Sequence, residues 1–140
     1  MNIKLSKIAS LLSLDLIGAD TNIYNLSIDS REVKKGDFFV AIEGIKFDGH
    51  DYIQESISNG ACAILCNDRF DVSKINVPYI VCQDTLKSLA DLAAGYKKII
   101  GSPLTIGITG TNGKTTVTQL TTAILKQCFS VSTTLGNYNN

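Results

Sequence analysis

The sequence carries no excess of either charge: thirteen Lys and Arg balance thirteen Asp and Glu over 140 residues. It therefore lacks the cationic field that holds a nucleic-acid backbone or an anionic membrane surface, and neither is an expected partner. An uncharged run long enough to span a bilayer is also missing. Residues 1–12 place lysines ahead of apolar residues as a signal peptide does, but Asp15 interrupts the run. Leu5, Ile8, Ala9 and Leu12 fall on one helical stripe, which predicts an amphipathic first helix. Four cysteines, at 62, 66, 82 and 128, lack a second pair at zinc-site spacing and read as ordinary buried thiols, with the cytoplasm as the natural compartment. His50 is the single histidine and has no partner motif, so it reads as a hydrogen-bonding loop residue and not a base. Repeats and low-complexity tracts are absent, and 44% hydrophobic against 19% charged residues is the composition of a folded soluble protein.

What is present reads as two α/β regions. Residues 23–29 and 38–42 have strand character and are separated by a charged turn at 32–37, a hairpin-sized unit. Residues 51–58 put Tyr52, Ile53, Ser56 and Ile57 on one helical face, and Asn59-Gly60 tolerate the left-handed conformation at a helix end. A buried strand at 61–66 and a short one at 79–82 complete a small mixed α/β domain over residues 1–83. Asp84 or Thr85 caps a helix carrying Leu86, Leu89, Ala90, Ala93 and Ile100 at helical spacing, and Gly101-Ser102-Pro103 stops it. That helix reads as a connector. A strand at 104–109, a glycine-rich turn, a helix at 114–128 and a strand at 129–134 then predict the opening of a parallel sheet with a right-handed crossover, placing residues 84–140 in a second, only partly represented domain.

The turn is the strongest chemical signal. In Gly110-Thr111-Asn112-Gly113-Lys114-Thr115-Thr116, glycines let backbone N–H groups converge on an anion and the helix start adds partial positive charge. Lys114 supplies a mobile cation for the outer phosphates, and the Thr115 hydroxyl lies where a Mg²⁺ ligand is needed. The general phosphate-loop pattern asks for glycine where Ile108 stands, so the motif is the shorter GxxGK[ST] form. A preceding strand and a following amphipathic helix favour nucleotide binding over a plain glycine turn.

Residues 109–116 resemble the ATP loop of the Mur ligases and of the related folylpolyglutamate synthetases. Upstream, Asp29-Ser30-Arg31, the run from Gly36 to Ala41, Gly44, residues 47–50 and residues 60–63 are similar to a UDP-binding domain of the Mur ligases that the synthetases lack. The resemblance implies a UDP-substrate-binding domain at 1–83 followed by the start of a P-loop ATPase domain. It implies an ATP- and Mg²⁺-dependent amide ligase of cytoplasmic peptidoglycan precursor synthesis working through an acyl phosphate, with Lys114 catalytic. By the same resemblance, Gly110, Thr111, Asn112, Gly113, Lys114, Thr115 and Thr116 bind ATP, Thr115 binds the metal, and Ser30 and Arg31 bind the UDP end, the arginine forking onto diphosphate oxygens.

Thr134-Leu135-Gly136-Asn137-Tyr138-Asn139-Asn140 is similar to the branch that adds D-alanyl-D-alanine to UDP-MurNAc-tripeptide, with Asn137, Asn139 and Asn140 beside the muramyl-peptide site. Thr111-Asn112 is more typical of the branch that adds the third amino acid to UDP-MurNAc-dipeptide, which remains an alternative, as does a non-catalytic nucleotide-binding module. No Asp or Glu follows Asp91, so the other metal ligands, the adenine pocket and the amine-substrate domain are expected outside these residues, and the 140 residues alone are expected to be inactive.

Overall fold

The computed structural model describes residues 2–44 and 47–134. In chain order the elements are β1 (Ile3–Lys4), α1 (Leu5–Leu12), β2 (Leu16–Ile17), β3 (Asn22–Ile23), β4 (Asn25–Ser27), β5 (Asp37–Val40), α2 (Ile53–Ser58), β6 (Ala63–Asn67), β7 (Tyr79–Cys82), α3 (Thr85–Ile99) and α4 (Lys114–Leu125). They fall into two compact units, Met1–Ser102 and Pro103–Asn140.

The first unit is built on a five-stranded sheet of order β2-β7-β6-β5-β4, parallel except where β2 joins β7 antiparallel. Its central strands β5 and β6 are mostly apolar and buried at every position because both faces are covered. Phe38, Val40, Ala63, Leu65, Ile80 and Cys82 point into one cluster with Leu5, Ile8 and Ala9 of α1 and Leu92 of α3. The residues between them, Phe39, Ile64 and Cys66, join Ile53 of α2 in the other. The two-residue period of a strand thus divides one sequence run between two cores. Cys66 and Cys82 are buried, as the sequence predicts; burial pushes the Cys66 thiol up to about 11. Cys62 is half-buried and Cys128 is exposed.

Two expectations need correction. Residues 23–29 and 38–42 do not form a hairpin: Asn25, Leu26 and Ser27 of β4 pair in parallel with Asp37, Phe38 and Phe39 of β5. The intervening chain includes a 3-10 turn, Ser30–Glu32, and re-enters the sheet through Gly36 at φ +91°, where the Asp37 carboxylate accepts the Lys34 N–H at 2.9 Å. The turn chemistry was legible; the direction of return was not. The helix read as a connector belongs to the first unit. Gly95 of α3 sits so close to α1 that an added Cβ would meet a Leu11 methyl at 3.1 Å, and the compact unit runs to Ser102 and not to residue 83. Asp84 is its cap, accepting the Lys87 N–H at 2.8 Å.

In the second unit only the helix forms among the described residues. Residues 104–109 and the described part of 129–134 enter no strand ladder, contrary to expectation. A strand satisfies its backbone only through a neighbour, whereas a helix closes its own hydrogen bonds. Leu104, Ile106, Leu120, Ile124 and Phe129 are exposed.

Candidate functional site

Gly110 and Gly113 adopt φ +152° and +78°, values that side-chain-bearing residues rarely take, and bring the backbone to the start of α4. Gly113 is the N-cap and offers no side-chain cap, and no acidic residue lies in the first turn. The dipole of α4 therefore meets no side-chain acceptor from its N-cap residue and favours an anion at this end. Lys114 folds back so that its Nζ donates to the Gly110 carbonyl at 2.6 Å. Thr111, Asn112, Gly113, Thr115 and Thr116 are exposed around it, and Thr118 Oγ1 closes onto the Lys114 carbonyl at 2.8 Å. The predicted loop residues are thus brought together as one turn.

The first unit carries a second group of predicted residues. Asp29 caps the 3-10 turn by accepting the Arg31 N–H at 3.0 Å, and the Arg31 guanidinium grips the same carboxylate through Nε at 2.9 Å and Nη2 at 2.6 Å. These bonds hold the Asp29 carboxyl down at about 2. Arg31 is thus paired with Asp29. Its remaining N–H donors face away from that carboxylate fork. Ser30 is buried; its hydroxyl donates to Glu55 Oε2 at 3.1 Å, and Asn59 Nδ2 donates to its carbonyl at 2.9 Å. Sequence reasoning missed Glu55, whose spacing of four from Asn59 puts both on one helical face. Asn137, Asn139 and Asn140 lie outside the described residues.

His50 is structural, as expected. The Asn67 N–H can only donate, so His50 Nε2 accepts it at 2.9 Å, and Nδ1 carries the proton toward Asp48 Oδ1 at 2.5 Å. Burial raises the Asp48 carboxyl, but the His50 N–H groups outweigh it and hold it below its usual value. His50 thereby joins the loop after β5 to the end of β6. Beside it, a cleft of about 430 Å³ opens at the carboxyl ends of β5, β6 and β7, lined by Glu43, Asn67, Arg69, Gln83 and Asp84, the edge where parallel sheets receive ligands. Arg69 spans it to Glu43 at 2.8 Å.

A nucleotide-type loop at a helix start, preceded by a parallel α/β unit, defines a class of phosphate-binding α/β proteins. Residues 22–97 match the Mur ligase family, catalytic domain, and residues 108–140 the Mur ligase middle domain, and the chain belongs to the Mur ligase family. It is 34% identical to the UDP-N-acetylmuramoyl-tripeptide--D-alanyl-D-alanine ligase of Escherichia coli (strain K12), over all of this chain and 30% of that protein. It is 43% identical, over 84% of this chain and 24% of the relative, to the UDP-N-acetylmuramoyl-L-alanyl-D-glutamate--2,6-diaminopimelate ligase of Aquifex aeolicus (strain VF5). The crystal structure of MurF ligase from Thermotoga maritima in complex with ADP superposes with a TM-score of 0.67 at 36% identity, covering 82% of this chain and 26% of that one. The chain thus spans under a third of the length of these relatives. Among the described residues no helix is long and apolar enough to cross a membrane.

Proposed function

We propose that this chain is the UDP-substrate-binding region and phosphate loop of a cytoplasmic ATP-dependent ligase that joins D-alanyl-D-alanine to UDP-N-acetylmuramoyl-tripeptide. The observation that carries the reading is the start of α4, where two glycines at positive φ, a helix start without a side-chain cap and Lys114 converge. On binding ATP, Lys114 exchanges the Gly110 carbonyl for phosphate oxygens while the first N–H groups of α4 hold the others. The tripeptide carboxylate attacks the γ-phosphorus and ADP leaves, giving an acyl phosphate. The amine of D-alanyl-D-alanine then attacks the acyl carbon, phosphate leaves and the nitrogen loses a proton. Lys114 offsets the charge that two approaching anions concentrate there, and the turn at Ser30 and Arg31 fixes the UDP end remote from the reacting carboxylate.

Mg²⁺ supplies further charge neutralisation of the phosphate oxygens when bound. The Thr115 hydroxyl suits one position of its oxygen shell. Among the described residues no group of three His, Cys, Asp or Glu is placed to hold a metal.

In the full-length ligase, Lys114→Ala is expected to lower turnover about a hundredfold or more without loss of fold, because the bond it removes is on an exposed loop. Activity within a few-fold of the parent removes Lys114 from the mechanism. The 43% identity with the diaminopimelate-adding enzyme favours a second reading, addition of the third amino acid to UDP-MurNAc-dipeptide. Offering the full-length protein each nucleotide substrate with its own amine, and following phosphate release, decides between the two.

A further inference from the structure

We infer that Glu55 sets the hydrogen-bond polarity of Ser30, so that toward a bound uridine diphosphate group this serine accepts a hydrogen bond and does not donate one. The inference rests on the reading of the turn at Ser30 and Arg31 as the UDP site. A serine hydroxyl has one proton and two lone pairs. The Ser30 proton is directed onto Glu55 Oε2 at 3.1 Å, with the carboxylate oxygen as the acceptor. Asn59 holds the Ser30 carbonyl at 2.9 Å, so the residue is gripped on both sides by the α2 region, from 25 and 29 residues away. At 6% exposure Ser30 has little water with which to exchange partners.

Arg31 differs in kind. Asp29 occupies its Nε edge and one Nη2 proton, and the remaining protons are all donors. The turn therefore divides its labour, with Arg31 offering donors to an anion and Ser30 offering lone pairs to a donor. A diphosphate at neutral pH has no proton to give. The matching groups on a uridine diphosphate are the uracil N3–H and the ribose hydroxyls, so Ser30 contacts the nucleoside and not the diphosphate. Glu55 is on this account a positioning residue for specificity.

The test is calorimetric titration of this chain with UDP, CDP, 2′-deoxy-UDP and 3′-deoxy-UDP. Cytosine presents a lone pair where uracil has its imide proton, and each deoxy form lacks one hydroxyl. UDP is expected to bind about tenfold or more tighter than the analogue lacking the donor that Ser30 accepts. Glu55→Ala frees the serine proton, so that the hydroxyl can donate to the cytosine lone pair as well as accept, and is expected to bring the UDP-to-CDP ratio to within about twofold while leaving a ratio against either deoxy form standing. Ser30→Ala is expected to collapse the UDP-to-CDP ratio too. A UDP-to-CDP ratio that survives Glu55→Ala but collapses in Ser30→Ala overturns the inference and leaves the site standing, as does equal affinity for UDP and CDP. Absence of UDP binding, or UDP binding indifferent to both Ser30→Ala and Arg31→Ala, overturns the site reading and the inference together.

Discussion

In the first unit Phe38, Val40, Ala63, Ile64, Leu65 and Cys66 are wholly buried, while in the second Leu104, Leu120 and Phe129 are 92%, 60% and 66% exposed. Hydropathy does not distinguish the two regions. Val117, Leu120 and Ile124 recur along α4 with the spacing that Leu5, Ile8 and Leu12 show on α1, yet Leu5 and Ile8 are buried and those of α4 are not. The difference is one of partners. A helix and a glycine turn are completed by residues within a few positions, so α4 and its loop form on local information. A strand needs a neighbour, and the strand-like residues at 104–109 have none among the described residues of their unit.

The largest expected effect separates the units by their cores. Phe38→Ala is expected to cost about 3–5 kcal/mol, since it opens a cavity between the sheet and the α1–α3 layer. Leu120→Ala is expected to stay within about 0.5 kcal/mol, being an exposed change to a good helix former. Denaturant melts of both variants measure this, and equal losses would break the comparison.

A smaller effect is expected at the polar joint of the first unit. His50→Leu keeps bulk but leaves the Asn67 N–H without its acceptor, at a cost of about 1–3 kcal/mol. A loss below the error of the melt would show that the two loops are held without this imidazole.

The smallest effect concerns acid. Asp29 titrates at about 2 because Arg31 hydrogen-bonds its carboxylate. A folded value below the unfolded one of 3.8 means the stabilisation is present above about pH 4 and is lost as pH falls through 2. The pair is exposed, with Arg31 at 80%, so solvent screens it and the change in overall stability is minor. Carbon-detected NMR titration should find the Asp29 midpoint moving up toward 3.8 in Arg31→Ala; an unmoved midpoint would show that the bidentate fork is absent in solution.

Much of the first unit was legible because its signals are short-ranged. The Leu5–Ile8–Ala9 stripe, the strand over Tyr79–Cys82, the Asp84 cap and the left-handed Gly60 all depend on residues close in sequence. The parallel return of β5 beside β4 was not, since a charged turn reads alike whether the chain reverses or crosses. The two-residue strands β1 and β2 were missed because so few positions show no period. At the candidate site the loop residues 110–116 were found by motif. Glu55 was not, because its relation to Ser30 exists only after the sheet has placed α2 beside the turn.

The pairing of β2 with β7 sets a timetable for folding on the ribosome. Leu16 and Ile17 are made well before their partners Ile80 and Tyr79, and the α1 stripe, which packs against Phe38, Val40, Ala63 and Leu65 as well as Leu92 of α3, is fully covered only when α3 arrives. At about 5–20 residues per second, the nascent chain waits several seconds after α1 is made for the last native cover of its apolar stripe. The unit cannot close piece by piece from its N-terminus. It must wait and condense late, which makes the interval before β7 emerges its period of greatest exposure to aggregation and to chaperones.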